Sequence, residues 1–150
     1  MNKAVIVSTL VFIFLLFGCS VKYSANPLTN LNKDTNEICV IKDKDTRDEF
    51  LSAYRLALKN KGFSVRVLDP KSDLNSCPLT STYTGSWSWD FKMYMASAEI
   101  VVYKNGVKAG DALFDAPKAG TALTTEIYDS TEVKIAKMVD RLFPNTTVYK

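Results

Sequence analysis

From Glu37 onward the hydrophobic residues recur with two alternating periods. Glu37 to Ile41 (Glu-Ile-Cys-Val-Ile) is a short β-branched run that predicts a first strand. The period then lengthens. Phe50, Leu51, Tyr54, Ala57 and Leu58 recur at helical spacing, and Thr46-x-x-Glu49 fits a capping box at the helix start. Gly62 is placed for the left-handed turn that ends such a helix. Phe63, Val65 and Val67 alternate with Ser64 and Arg66 and predict a second strand, closed by Asp69-Pro70. A helical crossover between two strands favours parallel pairing with a right-handed connection.

Lys71 to Leu79 is polar and contains Cys77-Pro78, so it reads as a loop. The cleanest alternation follows: Tyr83, Gly85, Trp87, Trp89 and Phe91 at odd positions, Thr82, Thr84, Ser86, Ser88 and Asp90 at even ones. This is a strand with one apolar face. Ala96, Ala98, Ile100 and Val102 continue on the opposite parity, so a bulge, bend or turn is required near Asp90-Phe91-Lys92. Asn105-Gly106 predicts a type I′ hairpin, with Val107 to Phe114 as the returning strand. Asp115 to Thr125 reads as a mobile loop. A last helix is expected from near Asp129-Ser130, capped by Asp129-x-x-Glu132, with Val133, Ala136, Val139, Leu142 and Phe143 as its apolar stripe and Pro144 as its stop. The expected architecture is α+β: a mixed sheet of four to five strands with two amphipathic helices on one face.

The first residues follow another pattern. Lys3 is followed by a fourteen-residue run from Ala4 to Phe17, broken only by Ser8 and Thr9. A charged start and a short apolar core form a secretory signal, and the run falls short of the ~20 residues of a comfortable membrane span. Leu16-Phe17-Gly18-Cys19 resembles the lipobox of bacterial lipoproteins, with Phe17 where a smaller residue is commoner. That resemblance implies diacylglycerol on the Cys19 thiol and cleavage before Cys19; an uncleaved signal anchor and a plain cleaved signal are the other readings. Ser20 after the cysteine, in place of Asp, implies the outer membrane, with the domain in the periplasm or on the cell surface. The organisation expected is a signal peptide over 1–18, a lipidated flexible tether over 19–36 and one domain over 37–150. Seventeen flexible residues span ~20–25 Å, enough to stand a domain off its membrane.

Charge adds little: 19 basic against 16 acidic side chains, with no basic run, gives no footprint for nucleic acid. Cysteine usage adds more. With Cys19 assigned to lipid, Cys39 and Cys77 form a pair in an oxidising compartment, and a disulfide is the natural reading, a metal or redox pair the alternative.

The chain has no histidine, which removes imidazole bases, Ser–His and Cys–His nucleophile pairs and His-based metal sites. No phosphate loop and no metal-ligand spacing is present, and neither cofactor nor metal is expected. Asp90 and Glu99 are the carboxylates embedded in hydrophobic strand, the one set available for glycoside chemistry; the simpler reading has Asp90 capping a bend and Glu99 facing solvent or a basic partner. Trp87 and Trp89, with Tyr83 and Phe91, fit either a platform for a sugar, peptide or protein, or the core beneath the helices, and the need of two amphipathic helices for a sheet face favours the core.

Thr84-Gly85-Ser86-Trp87-Ser88-Trp89-Asp90, Tyr94, Ala98 to Tyr103, Asn105-Gly106 and Met138 to Phe143 resemble small uncharacterised Gram-negative lipoproteins. The element order is similar at fold level to periplasmic domains of curli-secretion and exopolysaccharide-export lipoproteins. The resemblance implies no catalytic residues. The expectation is a non-enzymatic envelope lipoprotein, tied to the membrane by its lipid and to an envelope protein or further copies of itself; a glycan-binding or hydrolytic protein and an inhibitor or immunity lipoprotein are the alternatives.

Overall fold

The computed structural model describes residues 20–29, 31, 36–117 and 125–144. Strands β1 (Lys22–Asn26), β2 (Glu37–Ile41), β3 (Ser64–Leu68), β4 (Leu79–Asp90), β5 (Lys92–Lys104) and β6 (Val107–Asp115) form one sheet in the order β1-β6-β5-β4-β2-β3. Helices α1 (Asp48–Asn60) and α2 (Thr131–Leu142) pack with it around one core, and a short 3-10 turn, Thr125–Tyr128, precedes α2. The α+β reading holds, with six strands in place of four to five.

The β2–α1–β3 unit is as the periodicity predicts. β2 and β3 pair in parallel from Glu37↔Ser64 to Ile41↔Leu68, and Gly62 closes α1 at a φ of 94°. The helix start differs. The Thr46 side chain does not cap α1; Arg47 holds the cap position without a side-chain bond. Thr46 is buried, donates to the Asp43 carboxylate at 2.7 Å and accepts from the Gly85 N–H at 3.1 Å, so its hydroxyl ties the approach to α1 onto β4. Cys39 of β2 is joined to Cys77, just before β4, with both cysteines buried. The type I′ turn forms at Asn105 and Gly106, both with positive φ.

Helix α2 buries Lys134, Ile135, Met138, Val139 and Leu142, and leaves Val133 exposed. Of the expected stripe Val139, Leu142 and Phe143 are buried, while Val133 and Ala136 are exposed and Lys134, Ile135 and Met138 lie in the core in their place. Lys134 is fully buried: its Nζ donates to the carbonyls of Ile127 (2.6 Å) and Met95 (3.2 Å) and lies 5.0 Å from the Phe114 ring centre. Burial pushes its pKa down to about 8. The helix cap is Ser130, which accepts from the Val133 N–H, and not Asp129.

The clearest departure concerns the segment expected as a tether. Lys22 to Asn26 pairs along its length with β6, from Lys22↔Asp115 to Asn26↔Asp111. Asn26 donates to the buried Asp111 carboxylate, which also meets Lys108 at 2.9 Å. Leu28 enters the core and its N–H donates to the Leu142 carbonyl at 2.8 Å. Arg141 donates to the Tyr23 carbonyl and stands 4.7 Å over the Tyr23 ring. The physical reason is legible in retrospect: Val21, Tyr23 and Ala25 alternate with polar residues at period two and pack against the core. The signal and Cys19, the loop residues 118–124 and the tail from Asn145 lie outside the described residues.

Candidate functional site at the β4–β5 tip

β4 and β5 are the longest strands and form a hairpin that outruns its neighbours. On one side β2 pairs with β4 at Cys39↔Thr80 and Val40↔Ser81; on the other β6 pairs with β5 as far as Ser97↔Asp115. Beyond the Ser86↔Ser97 pair, whose hydroxyls meet at 2.7 Å, the two strands have each other as ladder partners and continue as a two-stranded ribbon. A register shift follows Ser86, and the ribbon turns tightly at Phe91 between Asp90 and Lys92. This is the bulge and turn that the parity change required.

The aromatic face consequently divides. Tyr83 is buried and stacks on Phe50 at 4.8 Å, rings 13° apart. A Cβ on Gly85 would lie 2.9 Å from the Phe50 ring, so glycine here admits the helix. Trp87 is half-buried against the core rim, with the Arg47 guanidinium 5.4 Å from its ring centre. Trp89, Phe91 and Met93 stand in solvent, at 67%, 91% and 44% exposure. The expectation that these aromatics are core thus holds for Tyr83 and fails for Trp89 and Phe91, because the helices do not reach the ribbon's end. Trp89 lies opposite Met93 across the ladder, which places both side chains on one side of the ribbon, and its ring is 6.1 Å from Phe91. Phe91 holds a φ of 54°, a conformation that costs a non-glycine residue of order 1 kcal/mol or more.

The structure does not bring the two carboxylates together. Asp90 accepts from the Tyr128 hydroxyl at 3.0 Å, a bond that raises the Tyr128 pKa. Glu99 lies opposite Thr84 and Leu113, on the opposite parity from Gly85. With Asp90 level with Lys92, the strand between them puts the pair roughly 20 Å apart. Glycosidic acid pairs work at ~5–9.5 Å. Among the described residues no group of three His, Cys, Asp or Glu is placed to hold a metal, and no helix is long and apolar enough to cross a membrane. Sequence reasoning named Phe91 as a candidate for an exposed platform and missed Met93; the parity break beside Phe91 was the available signal.

The sheet-and-helix arrangement defines a class: six-stranded α+β domains with a helical pair on the sheet. Solved structures align with this chain to different degrees. The PelC dodecamer from Paraburkholderia phytofirmans aligns over 81% of this chain and 98% of its own, with a TM-score of 0.57 at 12% identity. A leucine-to-methionine variant of that PelC dodecamer aligns over 81% and 96%, at 0.54 and 13% identity. A minor lipoprotein from Acinetobacter baumannii aligns over 75% and 90%, at 0.35 and 11% identity. No protein-family model matches the chain, and no curated protein matches it. The likeness to PelC is one of fold.

Proposed function

We propose that this protein is a non-enzymatic envelope lipoprotein, anchored to the periplasmic side of the outer membrane through acylated Cys19, with a scaffolding or binding role carried out as a homo-oligomer or with an envelope partner. The observation that carries the reading is the position of β1. It begins three residues after Cys19 and is locked into the sheet, so an acyl group on that thiol holds a rigid body beside the bilayer. Two or three acyl chains, at ~0.8 kcal/mol per buried CH₂, hold a protein firmly. Anchored domains meet neighbours at high effective concentration, which favours assembly without large contact areas. The fold shared with the PelC dodecamers supports self-assembly as the first form to test. Native mass spectrometry of the detergent-solubilised protein, paired with crosslinking in intact cells, is expected to give one discrete oligomer or one dominant partner; a monomer that crosslinks to nothing at native abundance would overturn the role.

The exposure of Trp89 favours a second reading, glycan binding by stacking on the indole. Peptidoglycan and polysaccharide fragments are then expected to quench or shift tryptophan emission in wild-type protein and not in Trp89→Ser. Equal emission with and without fragments would end this reading.

A further inference from the structure

The hairpin tip and the start of β1 lie at the same end of the sheet. Lys22 pairs with Asp115, and Asp115 pairs with Ser97. β5 runs from the tip at Lys92 toward Lys104, so β6 ends, and antiparallel β1 begins, on the tip side. The residues before Lys22 therefore leave the sheet in the direction of Trp89, Phe91 and Met93, two strand positions away, or roughly 10 Å to the side.

The lengths can be compared. From the Ser97 level to Phe91 is six residues, roughly 20 Å of strand. From Lys22 to Cys19 is three residues, at most roughly 11 Å. The aromatic tip thus projects about 10 Å beyond the furthest reach of the acylated residue. Interfacial segments settle ~5–10 Å into the headgroup and acyl boundary. We infer that the Trp89–Phe91–Met93 tip is a second membrane contact, inserted into the interface of the same bilayer leaflet that holds the lipid on Cys19. The inference rests on the acylation proposed above.

The chemistry of the tip fits a bilayer. It is a one-residue corner at the end of a two-stranded ribbon, with exposed apolar side chains around it. Trp and Phe at the end of a polar-edged ribbon match the preference of aromatic rings for the membrane–water interface. Lys92, exposed beside Phe91, sits at headgroup height, while the Asp90 carboxylate is engaged by Tyr128. The strained Phe91 backbone, where glycine would be easier, is then explained by what its ring contacts outside the protein.

The test uses the full chain, processed and acylated, in phosphatidylethanolamine–phosphatidylglycerol vesicles that carry a fraction of lipid brominated high in the acyl chain. Trp87→Phe leaves Trp89 as the sole tryptophan; if that variant does not fold, the difference between wild type and Trp89→Phe gives the same reading. Bromolipid is expected to remove about half or more of the Trp89 emission, and acrylamide access is expected to fall severalfold relative to unacylated Cys19→Ser protein in buffer. A Trp89 that stays open to acrylamide and indifferent to bromolipid, in protein that carries acyl mass and floats with the vesicles, would overturn the inference and leave the anchor intact. Shielding from both quenchers would assign the tip to a second copy and overturn it as well. Protein lacking acyl mass at Cys19 would overturn the anchor reading and this inference with it.

Discussion

The two halves of the β4–β5 ribbon carry one sequence pattern and meet opposite environments. From Tyr83 to Gly85 the apolar face lies under α1, with Phe50 stacked on Tyr83. From Trp89 to Met93 the same alternation stands in solvent. Between them Trp87 is half-covered and Lys134 bonds the Met95 carbonyl, marking the place where helix cover ends. Period-two alternation therefore states which side of a strand is apolar and leaves open whether another element reaches that side. At the base the burial stabilises the fold; at the tip the apolar surface is available to something else.

Substitutions can sharpen or break this contrast. The largest effect is expected at the base: Phe50→Ala removes a fully buried ring and should cost about 3–5 kcal/mol, read as a lower denaturant midpoint at unchanged slope. A smaller or absent loss would mean that the base is no better packed than the tip. The Cys39–Cys77 bond fastens the start of β4 to β2 across a separation of 38 residues. Replacing both cysteines by alanine should cost about 3–4 kcal/mol while leaving Trp89 emission in buffer unchanged.

At the boundary the test is pH. The folded pKa of Lys134 is about 8, below its ordinary 10.5, so over that interval the unfolded chain holds more protons and stability rises with pH. The gain is on the order of 2–3 kcal/mol. Above pH 10 the buried Tyr54, whose pKa is pushed up by desolvation, reverses the trend, because the unfolded chain loses its phenolic proton first. Chemical denaturation across pH 7 to 11 should show the rise in wild type and a flat profile below pH 10 in Lys134→Met; a rise that survives the substitution would place its origin elsewhere. The smallest effects belong to the tip. Trp89→Ser should change stability by no more than about 0.5 kcal/mol. Phe91→Gly should be neutral or add up to about 1 kcal/mol, since it relieves a positive φ. A clear loss from either would show that the tip packs against the body, and the contrast would fail.

Particular residues show why some features were legible and others were not. The β2–α1–β3 unit, the Asn105-Gly106 turn and the turn beside Phe91 were readable because each depends on neighbours within a few residues. Strand β1 carried the right alternation at Val21, Tyr23 and Ala25, masked by the Ser, Asn and Lys between them; its strand state depends on β6, some ninety residues later. The first half of the α2 stripe was misread, with Val133 and Ala136 expected where Lys134, Ile135 and Met138 lie, because a lysine inside a core reads as surface, and the carbonyls of Met95 and Ile127, from elsewhere in the chain, make that site tolerable. The proposed carboxylate pair was close in sequence and is far apart in space, since an extended strand separates its residues at the greatest rate a chain permits.

The sequence alone determined the local periods, the turns, the pairing partners available to the cysteines, the lack of imidazole chemistry and the lipobox-like start, all properties of short windows or of composition. Tertiary structure decided which apolar faces are covered, that Lys22 to Asn26 is a strand and not a tether, and that the start of this strand and the aromatic tip share one end of the sheet. Those outcomes depend on contacts between residues far apart along the chain, and no local pattern encodes where the covering helices stop.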